Sequence, residues 1–172
     1  MAMLACSRSM IVAGAALGWL ACSNSKSTPV GPPPAAPATG APVVFQVTKV
    51  TPGDKHNGVV TVKAYNFADK PVAGYSIMYR FKDQSGARIK LNVGTPFEKD
   101  FDHWSMQSPD MLCKPKSWCS FEIEHLDVPA TAVHADVIAD RVRAIAPDGI
   151  KFEPDAIWEL SGNRMEWPAS MP

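Results

Sequence analysis

The chain has 172 residues, with 17 Lys and Arg set against 17 Asp and Glu, and a mean hydropathy of -0.08. The basic residues fall in ones and twos, without the electropositive stripe that displaces counterions, so the composition argues against a nucleic-acid partner. The length supports one ordinary core with room for flanking segments.

The first element is a leader. Met10 to Leu20 carries no charge, Arg8 precedes it, and Ala21-Cys22 and a polar tract follow. Such a stretch rises about 16 Å as a helix, roughly half of what spans a bilayer, so it reads as the apolar region of an export signal. An ordinary cleavage after Ala21 would place bulky Trp19 three positions before the cut, where a small residue is wanted. Leu20-Ala21-Cys22 resembles the lipobox of bacterial lipoproteins, with Leu20 one place closer to the cysteine than in the common pattern. The resemblance implies a signal peptide over residues 1–21, diacylglyceryl transfer to Cys22 and a lipid-anchored envelope location. Ser23 after the cysteine implies sorting to the outer membrane in a two-membrane envelope. A conventionally cleaved or uncleaved leader is the alternative. Cys6 lies too near the terminus to follow an apolar region and belongs to the leader.

Residues 22–42 hold six of the sixteen prolines, no aromatic residue and one charge. They cannot bury a core and read as an extended tether with a reach of up to roughly 60 Å. Removing residues 1–21 takes away Arg8 and no acid, which leaves the remainder one charge negative.

Residues 43–172 read as one all-β domain. Val43 to Val50 and Val59 to Tyr65 have strand composition, with the turn-like Thr51 to Gly58 between them. Val72 to Lys82 alternates, placing Ile77, Tyr79 and Phe81 on one face and Ser76, Arg80 and Lys82 on the other. Asp83-Gln-Ser-Gly86 predicts a turn into a strand over Ala87 to Val93. Asn92 to Lys116 is too long for a hairpin loop and is expected to hold a short helix or irregular cover. Cys119, Phe121 and Ile123 alternate with Ser120, Glu122 and Glu124, and His125 continues the inward parity. Val133, Ala135 and Val137 have opposite parity to Val142 and Ala144, which predicts a bulge near Ala139 to Arg141. Ala146-Pro-Asp-Gly149 predicts a turn, and Ile150 to Leu160 a closing strand around Pro154. About seven short strands without a helical period predict an antiparallel, immunoglobulin-like β-sandwich with one long insert.

Asn66-x-x-Asp69-Lys-Pro71, Tyr79-x-Phe81-x-Asp83-x-x-Gly86 and Val128-Pro129 resemble the FxLYD-type immunoglobulin-like domains of bacterial envelope proteins over roughly residues 44–158. The long insert departs from that pattern. The resemblance implies an envelope β-sandwich used for interaction, with no catalytic residues to carry over.

Cys113 and Cys119 flank Lys114 to Trp118, and in an oxidising envelope so close a pair is most simply a disulfide. The rival is a copper(I) or small-ligand site in the insert at 94–125, drawing on these thiols with His103, His125, Met106 or Met111. No zinc spacing, nucleophile elbow, phosphate loop or dinucleotide fingerprint is present, and no cofactor is implied. Asp100, Asp102 and Asp110 could pair for glycoside hydrolysis, but loop acids are ordinarily solvated. Phe97, Phe101, Trp104 and Trp118 lie in or beside the insert, and form either a contact surface or the insert's own small core. The function expected from these features is a non-catalytic, membrane-anchored module that binds an envelope protein or a polysaccharide. A small-ligand or copper(I) binder comes second and an envelope enzyme third.

Overall fold

A computed structural model describes residues 31–37, 41–145, 151–159 and 166–168. The leader, Cys22 and the expected turn at Ala146 to Gly149 lie outside the described residues. The fold is an all-β antiparallel sandwich. Its strands are β1 (Val43–Thr51), β2 (Gly53–Asn66), β3 (Val72–Lys82), β4 (Arg88–Ile89), β5 (Asp102–Gln107), β6 (Ser117–Val128), β7 (His134–Ile145) and β8 (Phe152–Glu159). One sheet has the order β1-β2-β6. In the other, β3 pairs β7, which pairs β8, while β4 and β5 share the remaining edge of β3. Among the described residues no helix is long and apolar enough to cross a membrane.

Period-two alternation sends one side of each strand inward. Val60, Val62 and Ala64 of β2 and Phe121 and Ile123 of β6 meet Tyr75, Ile77, Tyr79 and Phe81 of β3 and Val137, Ala139 and Val142 of β7 in one core. Phe45, Tyr75 and Phe121 join the two sheets: the Tyr75 and Phe121 rings are 5.0 Å apart, and Phe45 lies edge-on to both, at 5.9 and 6.1 Å. The Tyr75 hydroxyl donates to the Met111 and Val72 carbonyls, so its burial leaves no unmet polar group.

The parity reversal in β7 is resolved where the register requires it. Ser76 faces Arg141 and Ile77 faces Ala139, leaving Asp140 as the extra residue, buried and accepting a bond from the Ser76 hydroxyl at 3.1 Å. A second slip lies in β6, where Val60 faces Ile123 but Gly58 faces Leu126. There His125 takes a left-handed backbone (φ 61°) and its side chain is exposed, while Leu126 fills the inward place. The inward reading of His125 is therefore corrected, because a bulge shifts parity by one residue.

The insert differs from expectation too. It contains β5, paired along β3 from Gly74↔Gln107 to Tyr79↔Asp102, and then a single 3-10 turn, Pro109–Met111, capped by Ser108. The expected strand at Ala87 to Val93 shrinks to β4, followed by an isolated bridge between Leu91 and Lys99.

The strands give the sandwich two poles. Val43, Asn66, Ser117 and Val72 sit together at the end where the tether enters. Thr51, Gly53, Val128 and the Tyr79 to Lys82 segment lie at the other, about 27 Å away along β1.

Candidate functional site

The pole far from the tether carries an open cavity. A cavity of about 660 Å³ opens between the β1–β2 tip (Pro52 to Lys55), Tyr79 of β3, Lys90 to Asn92, Asp102 at the start of β5, and Asp127 to Ala130. That volume is in the range of small-molecule sites. Its shape depends on close backbone approach at the tip. A Cβ on Gly53 would lie 2.6 Å from the Asn57 carbonyl carbon, and one on Gly58 would lie 2.4 Å from Val128 Cγ2 and 2.7 Å from the Leu126 oxygen. Within the tip Lys55 and His56 both take a left-handed backbone (φ 49° and 62°). Asp127 holds this segment: its Oδ1 accepts the His56 N–H at 2.7 Å, and its Oδ2 lies 3.2 Å from His56 Nδ1.

The floor carries a polar pair. The Tyr79 hydroxyl donates to Asp102 Oδ2 at 3.4 Å, and the other Asp102 oxygen lies 2.6 Å from Lys99 Nζ. Burial pushes the Tyr79 phenol well above its ordinary range, and the Asp102 and Asp127 carboxylates push the same way, so it stays protonated near neutrality. At the rim, Glu98 bonds Lys90 Nζ at 2.6 Å and accepts the Gly94 N–H at 3.3 Å. The Lys90 bond lowers the Glu98 pKa and raises that of Lys90. The lining is mixed, with Asp54, Asp102 and Asp127 set against Lys55 and Lys90, and with Leu91, Val128 and Pro129 as its apolar surface.

The acids singled out in the insert do not converge. Asp102 lines the cavity, Asp100 is exposed on the preceding loop, and Asp110 lies in the 3-10 turn that follows β5 at the tether pole. The candidate soft-metal donors are likewise scattered. Cys113 and Cys119 are joined, with Cα atoms 5.2 Å apart, which removes both thiolates; Met111 is buried, and His103 and His125 are exposed on different strands. Among the described residues no three His, Cys, Asp or Glu side chains gather as cation ligands.

The four aromatic residues of the insert fall on separate surfaces. Phe97 is exposed on the loop before β5. Phe101 packs with Trp167 over Met78 and Ile138 on the outer face of the larger sheet, where Trp167 also covers the Arg80 guanidinium at 4.1 Å. That guanidinium is paired with Asp136 at 2.7 Å. Trp104 packs on the core edge and donates to the Glu124 oxygen. Trp118 stands on the outer face of the smaller sheet beside Tyr65, with ring centroids 5.3 Å apart. Of the candidate catalytic, metal and contact residues named from the sequence, the cavity draws only Asp102; Tyr79, Val128 and Pro129, read there as strand and turn residues, also line it. Its remaining wall comes from turns whose proximity depends on strand register.

Comparison with protein-family models, curated proteins and solved structures finds no match.

Proposed function

We propose that this protein is a lipid-anchored envelope lipoprotein, with the anchor on Cys22, whose sandwich is a non-catalytic interaction module for a protein or polysaccharide of the envelope. The observation that carries the reading is the polarity of the fold. The chain enters at the Val43 pole, and the cavity lies at the opposite end of β1. A lipid on Cys22 would thus tie the domain to the membrane through the pole opposite the cavity, leaving the cavity open to a partner. The mixed lining suits a neutral or zwitterionic group, such as a sugar ring or a loop of a protein. The non-catalytic part of the reading is supported by the polar pair in the cavity: both Asp102 oxygens are engaged, one by Lys99 and one by Tyr79. The FxLYD-type resemblance is consistent with this reading and adds no residue roles.

The test has two arms. Mass spectrometry of the amino-terminal peptide of the natural protein is expected to find a diacylglyceryl group on Cys22, and Cys22→Ala is expected to release the chain from membranes. A photo-crosslinking residue at Asn92 on the cavity rim is expected to capture a partner in intact cells, where one at exposed Thr48 does not. An unmodified cytosolic chain with its leader intact would overturn the anchoring, and equal capture at both positions would overturn the cavity as the contact site. A second reading, a small-ligand binder, is favoured by the cavity volume. Saturable binding of a small envelope metabolite, abolished by Leu91→Trp in the cavity wall, would select it.

A further inference from the structure

The tether does not leave the domain as a free spacer. Trp118 Nε1 donates to two tether carbonyls, Gly31 O at 3.2 Å and Pro32 O at 3.3 Å. The residues under this contact form an aromatic platform: Tyr65 lies edge-on to Trp118 at 5.3 Å and to Phe67 at 4.7 Å. Tyr65 and Trp118 are cross-strand partners of β2 and β6, on the side of the smaller sheet opposite Val62, Ala64 and Phe121. The platform is fixed from behind. The Tyr65 hydroxyl donates to the Lys116 oxygen at 3.0 Å, and the Cys113–Cys119 bond closes the loop that carries Lys116 and Trp118.

The tether has the matching form. Pro32-Pro33-Pro34 locks φ near the polyproline II value, and each residue before a proline is confined to extended backbone. A polyproline helix repeats every three residues, so Gly31, Pro34 and Pro37 share one edge. Pro34 and Pro37 are the half-buried members of 31–37, while Gly31, Pro32, Pro33, Ala35 and Ala36 are exposed. Pro34 and Pro37, spaced as that period requires, are thus less exposed than their neighbours, and an indole N–H reaches the Gly31 and Pro32 carbonyls. This is the physical mode by which aromatic grooves read proline-rich segments at low entropic cost.

We propose that Trp118, Tyr65 and Phe67 form a binding site for a proline-rich, polyproline II segment, and that this chain's own residues 31–37 occupy it in cis. If Cys22 is the anchor, docking at 31–37 shortens the connection to residues 23–30, whose greatest reach is about 25 Å in place of roughly 60 Å. A competing proline-rich peptide would lengthen the leash. Only this consequence for reach rests on the anchoring reading; the site itself does not.

The test is two-dimensional NMR of the chain as cells process it, labelled with 15N-tryptophan. Trp118→Phe identifies the Trp118 indole signal by its loss. Replacing the helix former, with Pro32→Ser, Pro33→Gly and Pro34→Ser, is expected to move that signal and speed its solvent exchange at least about tenfold, leaving the Trp104 indole on Glu124 unmoved. These substitutions lie outside the sandwich, so the Trp104 signal also reports that the fold is intact. A synthetic Gly-Pro-Pro-Pro-Ala-Ala-Pro peptide is expected to restore the signal in the substituted chain saturably. The intact chain should need at least about tenfold more peptide, because a short linker supplies its own segment at roughly millimolar effective concentration. A Trp118 signal with the same position and exchange in both chains would overturn the proposal, as would a substituted chain whose signal the peptide leaves unchanged up to ~10 mM.

Discussion

Replacement of Asn66 by Ala is expected to destabilise the fold by about 3–5 kcal/mol. Asn66 is fully buried at the tether pole, at the end of β2. Its amide nitrogen has two hydrogens; one meets the Lys70 oxygen at 2.8 Å, and the other is shared between the Cys113 and Lys114 oxygens at 3.1 and 3.2 Å. Its Oδ1 accepts the Ala68 N–H at 2.8 Å. Three effective bonds at about 1 kcal/mol net each give the lower figure, and the stranded Ala68 donor adds about 1–2 kcal/mol more. The Cys113 oxygen is less affected, because it also accepts the Val72 N–H. Asn66→Asp should be worse than Ala at neutral pH, since a carboxylate would face three carbonyl oxygens in place of an amide donor. Its deficit should shrink as pH falls, because the folded state raises that carboxyl's pKa and the penalty is present only where the unfolded chain is ionised. Urea unfolding with an unchanged slope is the assay. A loss under about 1 kcal/mol for Ala, or an Asp variant as stable as Ala, would refute the reasoning.

Gly58→Ala is expected to cost about 2–4 kcal/mol, because the new Cβ would meet the Leu126 oxygen and Val128 at under 3 Å; a neutral variant in thermal melts would show that the tip is not tight. Reduction of the Cys113–Cys119 ring, a sequence separation of six, should lower stability by about 2.4 kcal/mol from chain entropy, read as a fall in melting temperature between oxidised and reduced protein. Phe121→Ala should cost about 3–5 kcal/mol, since it empties the centre of the Phe45–Tyr75–Phe121 contact. Burial raises the Tyr75 and Tyr79 phenols above their unfolded value of 10.0. The folded chain therefore keeps protons that the unfolded chain has lost, and stability should be level below that value and fall above it. Tyr75→Phe should flatten that alkaline limb in denaturant titrations at fixed pH; an unaltered limb would mean that Tyr75 ionises freely.

Strands with strict alternation were legible in the sequence. Val72 to Lys82 is β3 to the residue, and the opposed parities of Val137 and Val142 located the bulge at Asp140. In both cases a period of two leaves one face to be buried, and a hydrophobic residue on the wrong face has to be explained locally. The strand β5 was missed. Its Asp102, Trp104 and Met106 are half-buried and its His103, Ser105 and Gln107 exposed, so the alternation is there, but without the β-branched aliphatic residues that mark a strand. The turn-like Thr51 to Gly58 contains the hairpin tip, where Lys55 and His56 take the left-handed backbone, and Gly58 serves the close approach of β6.

The residues alone determined that the chain makes an all-β sandwich and that Cys113 pairs with Cys119, because alternation and a six-residue spacing are local properties. Tertiary structure decided where the sites lie. The cavity wall comes from residues 52–55, 79, 90–92, 102 and 127–130, and the platform from Tyr65, Phe67 and Trp118 with a tether some 87 positions before that indole. Such meetings depend on strand order and register, which are set by the whole core at once and leave no mark in any one segment.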